Sequence, residues 1–251
     1  MPIPSADIFS VDTVQVRPAQ EAFRSGTLVM PTGPDAAVAA GQLAWGDSIT
    51  NSILICVTAI AAILTLAQLV ELLPFLVGGL FRPKPIASLE DSVRHARDRN
   101  ILALVSLPAF VLIVSRFGLY APQWMAPFPP GGQTLLILAV SVGYALLRGI
   151  LVALLRAPGA GYGLAARSFY NFFIVATLTL VLSVGILTLL RTNPLVIKRI
   201  CWIEIGLTYP VFLVRRTQIL GNSCNQFTAF LYLCALELLP TGLLVASALV
   251  F

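Results

Sequence analysis

The chain has 251 residues, of which 58% are hydrophobic and only 11% charged, and its mean hydropathy is +0.90; soluble domains carry roughly 25% charged residues. This composition excludes an ordinary soluble domain and marks an integral membrane protein. The net charge of +5 does not indicate a nucleic-acid partner. The basic residues sit singly or in small clusters beside apolar runs, as in the cytoplasmic loops of membrane proteins.

Residues 1–46 hold Asp7, Asp12, Glu21 and Asp35 against Arg17 and Arg24, with prolines at 2, 4, 18, 31 and 34. They are expected to form a short acidic, extracytoplasmic tail, with a little extended structure around Ile8–Val16. No compact apolar core follows a basic leader, so the first hydrophobic span is expected to act as the membrane signal. The remainder, 47–251, is expected to be an all-α, polytopic transmembrane helix bundle of about six spans.

The first span starts after the capping candidates Asp47 and Ser48 and runs over 53–81, longer than the ~20 residues a bilayer requires. The loop 82–100 is the most charged stretch. Ser88, Glu90 and Asp91 followed by Arg94, Arg97 and Arg99 read as a short capped cytoplasmic helix. Its mixture of acids and bases weakens the case for a patch that binds anionic lipid.

The second span, 101–120, contains Pro108, and an uncharged Pro-rich turn (121–132) follows. The third span covers 134–155. The loop 157–167 holds Gly159, Gly161 and Gly163, but it lacks the strand before and the Lys-Ser/Thr after that give a phosphate loop its meaning, so it reads as a hairpin. The fourth span is 168–190. The fifth, 195–214, is the weakest, being interrupted by Lys198, Arg199, Glu204 and Pro210. The sixth is 227–251.

Placing loops 82–100, 156–167 and 215–222 inside puts Arg82, Lys84, Arg94, Arg97, Arg99, Arg156, Arg167, Arg215 and Arg216 in the cytoplasm. Arg17, Arg24, Arg191, Lys198 and Arg199 then fall on the other side. This bias places both termini outside, and Trp45, Trp124 and Trp202 fall near the outer interface, where indole rings prefer to sit.

Two stretches repeat one unusual pattern: Leu66 to Pro74 ends in Glu71-Leu-Leu-Pro74, and Leu233 to Pro240 ends in Glu237-Leu-Leu-Pro240. A carboxylate at the centre of a span costs roughly 2.5–3.5 kcal/mol to insert, so each glutamate is expected to face protein or a wet cavity. Pro74 and Pro240 each remove a backbone donor and are expected to kink their helices beside the carboxylate. Helical rise puts Glu71 roughly 16 Å from the inner boundary and Glu237 roughly 20 Å from Cys224, both near the midplane. Arg116 and Arg148 lie at depths from which either could reach a glutamate. Glu71, Glu204, Glu237, Arg116 and Arg148 thus form the candidate polar core. It has two readings: ion pairs that fix helix register, or a proton path through Glu71 and Glu237.

Cys56, Cys201, Cys224 and Cys234 lie in or beside apolar runs without metal-ligand spacing, and His95 is the single histidine. No metal, cofactor or catalytic set is therefore expected. The segment Tyr232-x-Cys234-x-x-Glu237-x-x-Pro240 resembles the C-terminal signature of a Bacteroidota family of multi-pass inner-membrane proteins of unknown function. The resemblance extends over about 45–251. It implies the inner membrane of a diderm bacterium and directs attention to Glu237 and Pro240, but it implies no activity.

Three functional classes follow. A non-enzymatic scaffold or accessory subunit of an envelope system, with a membrane-protein partner or a second copy of itself in the bilayer, fits the size and short loops. A proton-coupled transporter or ion-conducting subunit would use Glu71 and Glu237. An intramembrane enzyme on a lipid substrate lacks the Asp-rich or His-containing clusters that such chemistry needs.

Overall fold

Long runs of Leu, Ala, Val and Ile with few internal breakers dictate helices, because in hydrocarbon every backbone group must be satisfied within its own segment. The computed structural model describes residues 45–81, 92–155, 160–221 and 226–250. It has helices throughout and no strand among the described residues. In chain order these are α1 (Ile49–Phe81), α2 (Val93–Phe117), a short 3₁₀ turn (Gln123–Met125), α3 (Pro130–Leu154), α4 (Ala160–Leu189), α5 (Pro194–Gly221), α6 (Gln226–Leu233), a π turn (Cys234–Leu238) and α7 (Leu239–Val250). The acidic tail, the Ser88–Asp91 capping sequence and Cys224 lie outside the described residues.

Helices α1 to α4 and the α6–α7 unit are long and apolar enough to cross a membrane by length and composition. Helix α5 has 28 residues, but Lys198, Arg199, Glu204, Arg215 and Arg216 keep it out of that apolar set. Helix α2 differs from expectation. The charged stretch and the second span form one continuous helix whose N-cap is Ser92, with Ser92 Oγ accepting from the His95 N–H. Its first turn holds no acidic residue.

The helix ends have local causes. Gly118 ends α2 in the left-handed region at φ 57°, and the Leu119 N–H returns to the Val114 carbonyl at 3.0 Å, the Schellman pattern that favours glycine. Arg191 adopts φ 52° at the end of α4, where the Thr192 N–H bonds the Leu187 carbonyl. Asn193 then caps α5 by accepting from the Leu195 N–H, with Pro194 as its first residue, where a missing donor costs nothing. Pro74, Pro108 and Pro210 all lie inside continuous helices.

Helices α2 and α4 form the centre, with α1, α3 and α5 around them. One apolar core joins Val111, Val114, Ile137, Leu180 and Cys201. A second joins Leu72 and Leu76 of α1 to Leu102, Ala103 and Ile174. The outward faces are apolar, as Ile63, Leu64, Leu104, Leu146 and Leu207 illustrate; in water such a surface would be an aggregation hazard, whereas in lipid it needs no cover.

At one end of the bundle Trp45 donates to Ser115 Oγ, Ser115 shares a hydrogen bond with Thr134, and Tyr120 bonds Ser247. The start of α1, the end of α2 and the end of α7 therefore share that end, together with the turn that carries Trp124. The opposite end gathers the starts of α2 and α4 and the last turns of α3 and α5, and it holds the polar cluster described next.

Candidate functional site

Glu237 is fully buried, and two arginines converge on it. Arg148, on α3, donates from Nε at 3.2 Å and from Nη2 at 2.9 Å to Glu237 Oε1. Arg216, on α5, pairs with the same oxygen through Nη1. Both arginines are almost wholly enclosed. Three separate elements thus contribute to one charge cluster, caged by Ala165, Ile219, Leu220, Ala229 and Leu236.

The local sequence accounts for this. Phe212, Arg216, Ile219 and Leu220 are the buried positions along the second half of α5, a spacing of four, three and one that defines one helix face. Arg216 therefore points inward and its neighbour Arg215 does not. On the C-terminal unit, Pro240 has no N–H to offer the preceding turn, and the backbone answers with a π turn closed by the Leu239 N–H on the Cys234 carbonyl. The register shift falls where the ladder is already broken, as π turns and proline bends commonly do. Within that turn Leu236 and Glu237 are both buried, whereas Leu238 and Leu239 face outward. Tyr232 packs against the apolar cage, and Cys234 is half-buried in the first residue of the π turn.

Aromatic rings floor the cluster. The Arg148 guanidinium lies 3.8 Å from the Phe169 ring centroid, and that of Arg216 lies 5.9 Å from Phe212. Phe169 and Phe212 meet edge to face at 6.0 Å. Arg148 also donates to the Ala166 carbonyl at 3.4 Å. A planar cation stacked on rings while it binds a carboxylate is a use of arginine that lysine does not reproduce.

The structure brings together only part of the residue set read from the sequence. Arg148 and Glu237 meet. Glu71 lies elsewhere: its side chain is 43% exposed, 3.2 Å from Arg94 and 3.6 Å from His95 at the start of α2, with the His95 ring against Phe75. Glu204 accepts from Ser183 Oγ at 2.7 Å. Arg116 is at the opposite end of the bundle, exposed, with its guanidinium 4.9 Å from the Trp45 ring centroid. The repeated Glu-Leu-Leu-Pro pattern therefore yields two unlike environments: α1 stays α-helical through an exposed Pro74, while Pro240 is buried beside a π turn. Glu237 lies near the middle of the unit formed by α6, the π turn and α7, and the two arginines reach it from nearer the ends of their helices. Arg148 is roughly 9 Å from the last residue of α3 and Arg216 roughly 8 Å from that of α5 by helical rise.

Sequence reasoning missed Arg216 and Arg99. Arg99 is buried on α2 beside Asp98, donates to Asn100 Oδ1 at 3.1 and 3.3 Å, and lies 5.9 Å from the Tyr170 ring. Asp98 in turn is ion-paired with Arg94 at 3.7 Å and Arg97 at 3.8 Å. Among the described residues no group of His, Cys, Asp and Glu could hold a metal ion, and Cys56, Cys201 and Cys234 are free thiols.

The fold and this cluster together define a multi-pass helical membrane protein with an internal arginine–glutamate–arginine core. Comparison with protein-family models, curated proteins and solved structures finds no match to the chain.

Proposed function

We propose that the protein is a non-enzymatic scaffold or accessory subunit of an envelope system, in which the Arg148–Glu237–Arg216 cluster holds the C-terminal helical unit onto α3 and α5. The observation that carries this reading is the convergence of two enclosed guanidiniums on one fully buried carboxylate. Buried polar groups of this kind fix register and packing partner in several systems. Glu71, half-exposed on the flank of α1 with Arg94 and His95, offers a polar foothold for a neighbouring subunit or a second copy of the chain.

The likeness of Tyr232, Cys234, Glu237 and Pro240 to the Bacteroidota inner-membrane signature supports the inner membrane of a diderm bacterium as the location. The basic bias of the loops supports both termini outside, with α5 as a sixth crossing shielded by α4 and α6. The transport reading requires Glu71 and Glu237 to share a path, and their separate ion-pair partners argue against it. An enzyme acting on lipid would need acid–base or metal groups beside its substrate.

Proteoliposomes holding wild-type protein, Glu71→Gln or Glu237→Gln test the assignment by proton flux under an imposed potential, alongside folded yield in detergent. The scaffold reading expects no flux above protein-free vesicles for any of the three, and a lower folded yield for Glu237→Gln. Flux in the wild type that either substitution abolishes without loss of fold would establish the transport reading instead.

A further inference from the structure

Helix α5 keeps one face on the bundle and turns another outward. Ile197, Cys201 and Phe212 are buried, whereas Val196 is 42%, Ile203 61% and Leu207 67% exposed and Ile200 is half-buried. Val196, Ile200, Ile203 and Leu207 are spaced by four, three and four residues, which sets them in one row along the outward side. Those intervals are the d, a, d, a positions of a heptad, the seam along which two parallel helices interlock. Gly206 borders the row, and a Cβ added there would meet nothing within 4 Å, so a neighbouring helix can approach its backbone closely.

The same register puts Arg199 at a g position and Glu204 at an e position. In a parallel pair of helices, g of one faces e of the other, and opposite charges there set partner and orientation. One helix cannot make this pair within itself, because residues five apart do not share a face. Arg199 is exposed and Glu204 half-buried, and among the described residues neither has an ion-pair partner; the Glu204 side chain is met by the Ser183 hydroxyl of α4 at 2.7 Å. With α5 as a sixth crossing, Glu204 lies roughly 15 Å from the first residue of its helix, about half the ~30 Å hydrocarbon thickness. An acid at that depth without a cation is costly. A twofold axis along the bilayer normal keeps α5 parallel to its copy and forms the Arg–Glu pair twice.

We propose that the protein associates with a second copy of itself through the outward row of α5, with Arg199 of each copy paired to Glu204 of the other. This deepens the scaffold reading by naming one partner. It rests on α5 crossing the membrane, which maleimide labelling of Thr192→Cys and Gln218→Cys from the two faces tests separately.

Förster transfer between two dye-labelled pools of the full chain, reconstituted in liposomes over a range of protein-to-lipid ratios, measures the association. Arg199→Glu and Glu204→Arg are each expected to weaken it by roughly tenfold, because each sets like charges face to face twice. The two together reverse both charges and are expected to restore transfer to the wild-type level. In a cysteine-free background, Ile203→Cys and Leu207→Cys are expected to form disulfide-linked dimers under mild oxidation in membranes. Trp202→Cys, also exposed but off the row, is expected to form none. No transfer in the wild type, or transfer unchanged in both single charge variants, overturns the proposal. So does a folded double variant as weak as the singles, or cross-linking at position 202 in place of 203 and 207. Should a charge variant fail to fold, the cross-linking pattern decides alone. A chain that stays single in the bilayer would leave the Arg148–Glu237–Arg216 scaffold standing, whereas failure of that scaffold would show in yield and flux.

Discussion

Replacing Glu237 with glutamine keeps the outline of the side chain and removes the carboxylate that Arg148 and Arg216 share. Both guanidiniums stay enclosed by α3, α4 and α5, so neither gains the hydration that would offset the loss. Removing one partner of a buried ion pair costs roughly 3–5 kcal/mol, because an uncompensated charge is left behind. That corresponds to about two to three and a half powers of ten in the folded-to-unfolded ratio. Arg148→Gln is expected to cost less, about 2–3 kcal/mol, since Glu237 retains Arg216 while two charge-assisted hydrogen bonds and the Phe169 stacking are lost. The assay is reversible unfolding in mixed micelles with increasing dodecyl sulfate, followed by helical circular dichroism. A double-mutant cycle between Glu237→Gln and Arg216→Gln should show strong non-additivity, because the second substitution relieves part of the charge stranded by the first. A cost below about 1 kcal/mol for Glu237→Gln, or additivity between the pair, would refute the argument from a shared buried charge.

Other outcomes follow from single contacts. Glu71→Gln should cost no more than about 1 kcal/mol in the same assay, because its pair with Arg94 is exposed; a larger loss would show that this flank is buried in the functional assembly. Gly118→Ala should destabilise by about 1 kcal/mol through its φ of 57°, as an added Cβ would meet only Lys198 Nζ at 3.8 Å. Arg191→Gly should stabilise by a similar amount, relieving a non-glycine residue from φ 52°. In a cysteine-free background, Thr192→Cys and Gln218→Cys are expected to react with impermeant maleimide from opposite faces of the membrane. Labelling from one face would mean that α5 does not cross.

The helical membrane class was legible because composition alone determines it: a surface bearing Ile63, Leu64 and Leu207 has no soluble equivalent. Three of the expected spans, the first, the third and the sixth, coincide with helical segments to within about four residues, whereas the fourth helix begins eight residues before its expected start. The second span was misjudged at its start because Arg94, Arg97 and Arg99 read as a separate polar helix, whereas only some of those side chains leave the bundle; Asp98 and Arg99 turn inward. The Glu71–Glu237 symmetry misled for a related reason. A short motif fixes local chemistry but not the neighbours across the helix interface, and these were Arg94 on one side and Arg148 with Arg216 on the other. Arg216 was detectable by extending the Phe212-to-Leu220 face one turn past the end assigned to the fifth span. The π turn was not, since proline signals a broken ladder without stating how the backbone will close it.

The most direct test of the account is the stability of a triple variant, Arg148→Met, Glu237→Leu and Arg216→Met, measured against Glu237→Gln alone. Buried ion clusters replaced whole by apolar residues of similar size are often neutral or stabilising by roughly 1–4 kcal/mol. The triple variant should therefore recover most of the stability that the single substitution loses, and should assemble into the membrane at wild-type yield. A triple variant less stable than Glu237→Gln would contradict the account, because the cluster would then be needed for its charges and not for holding three helices together.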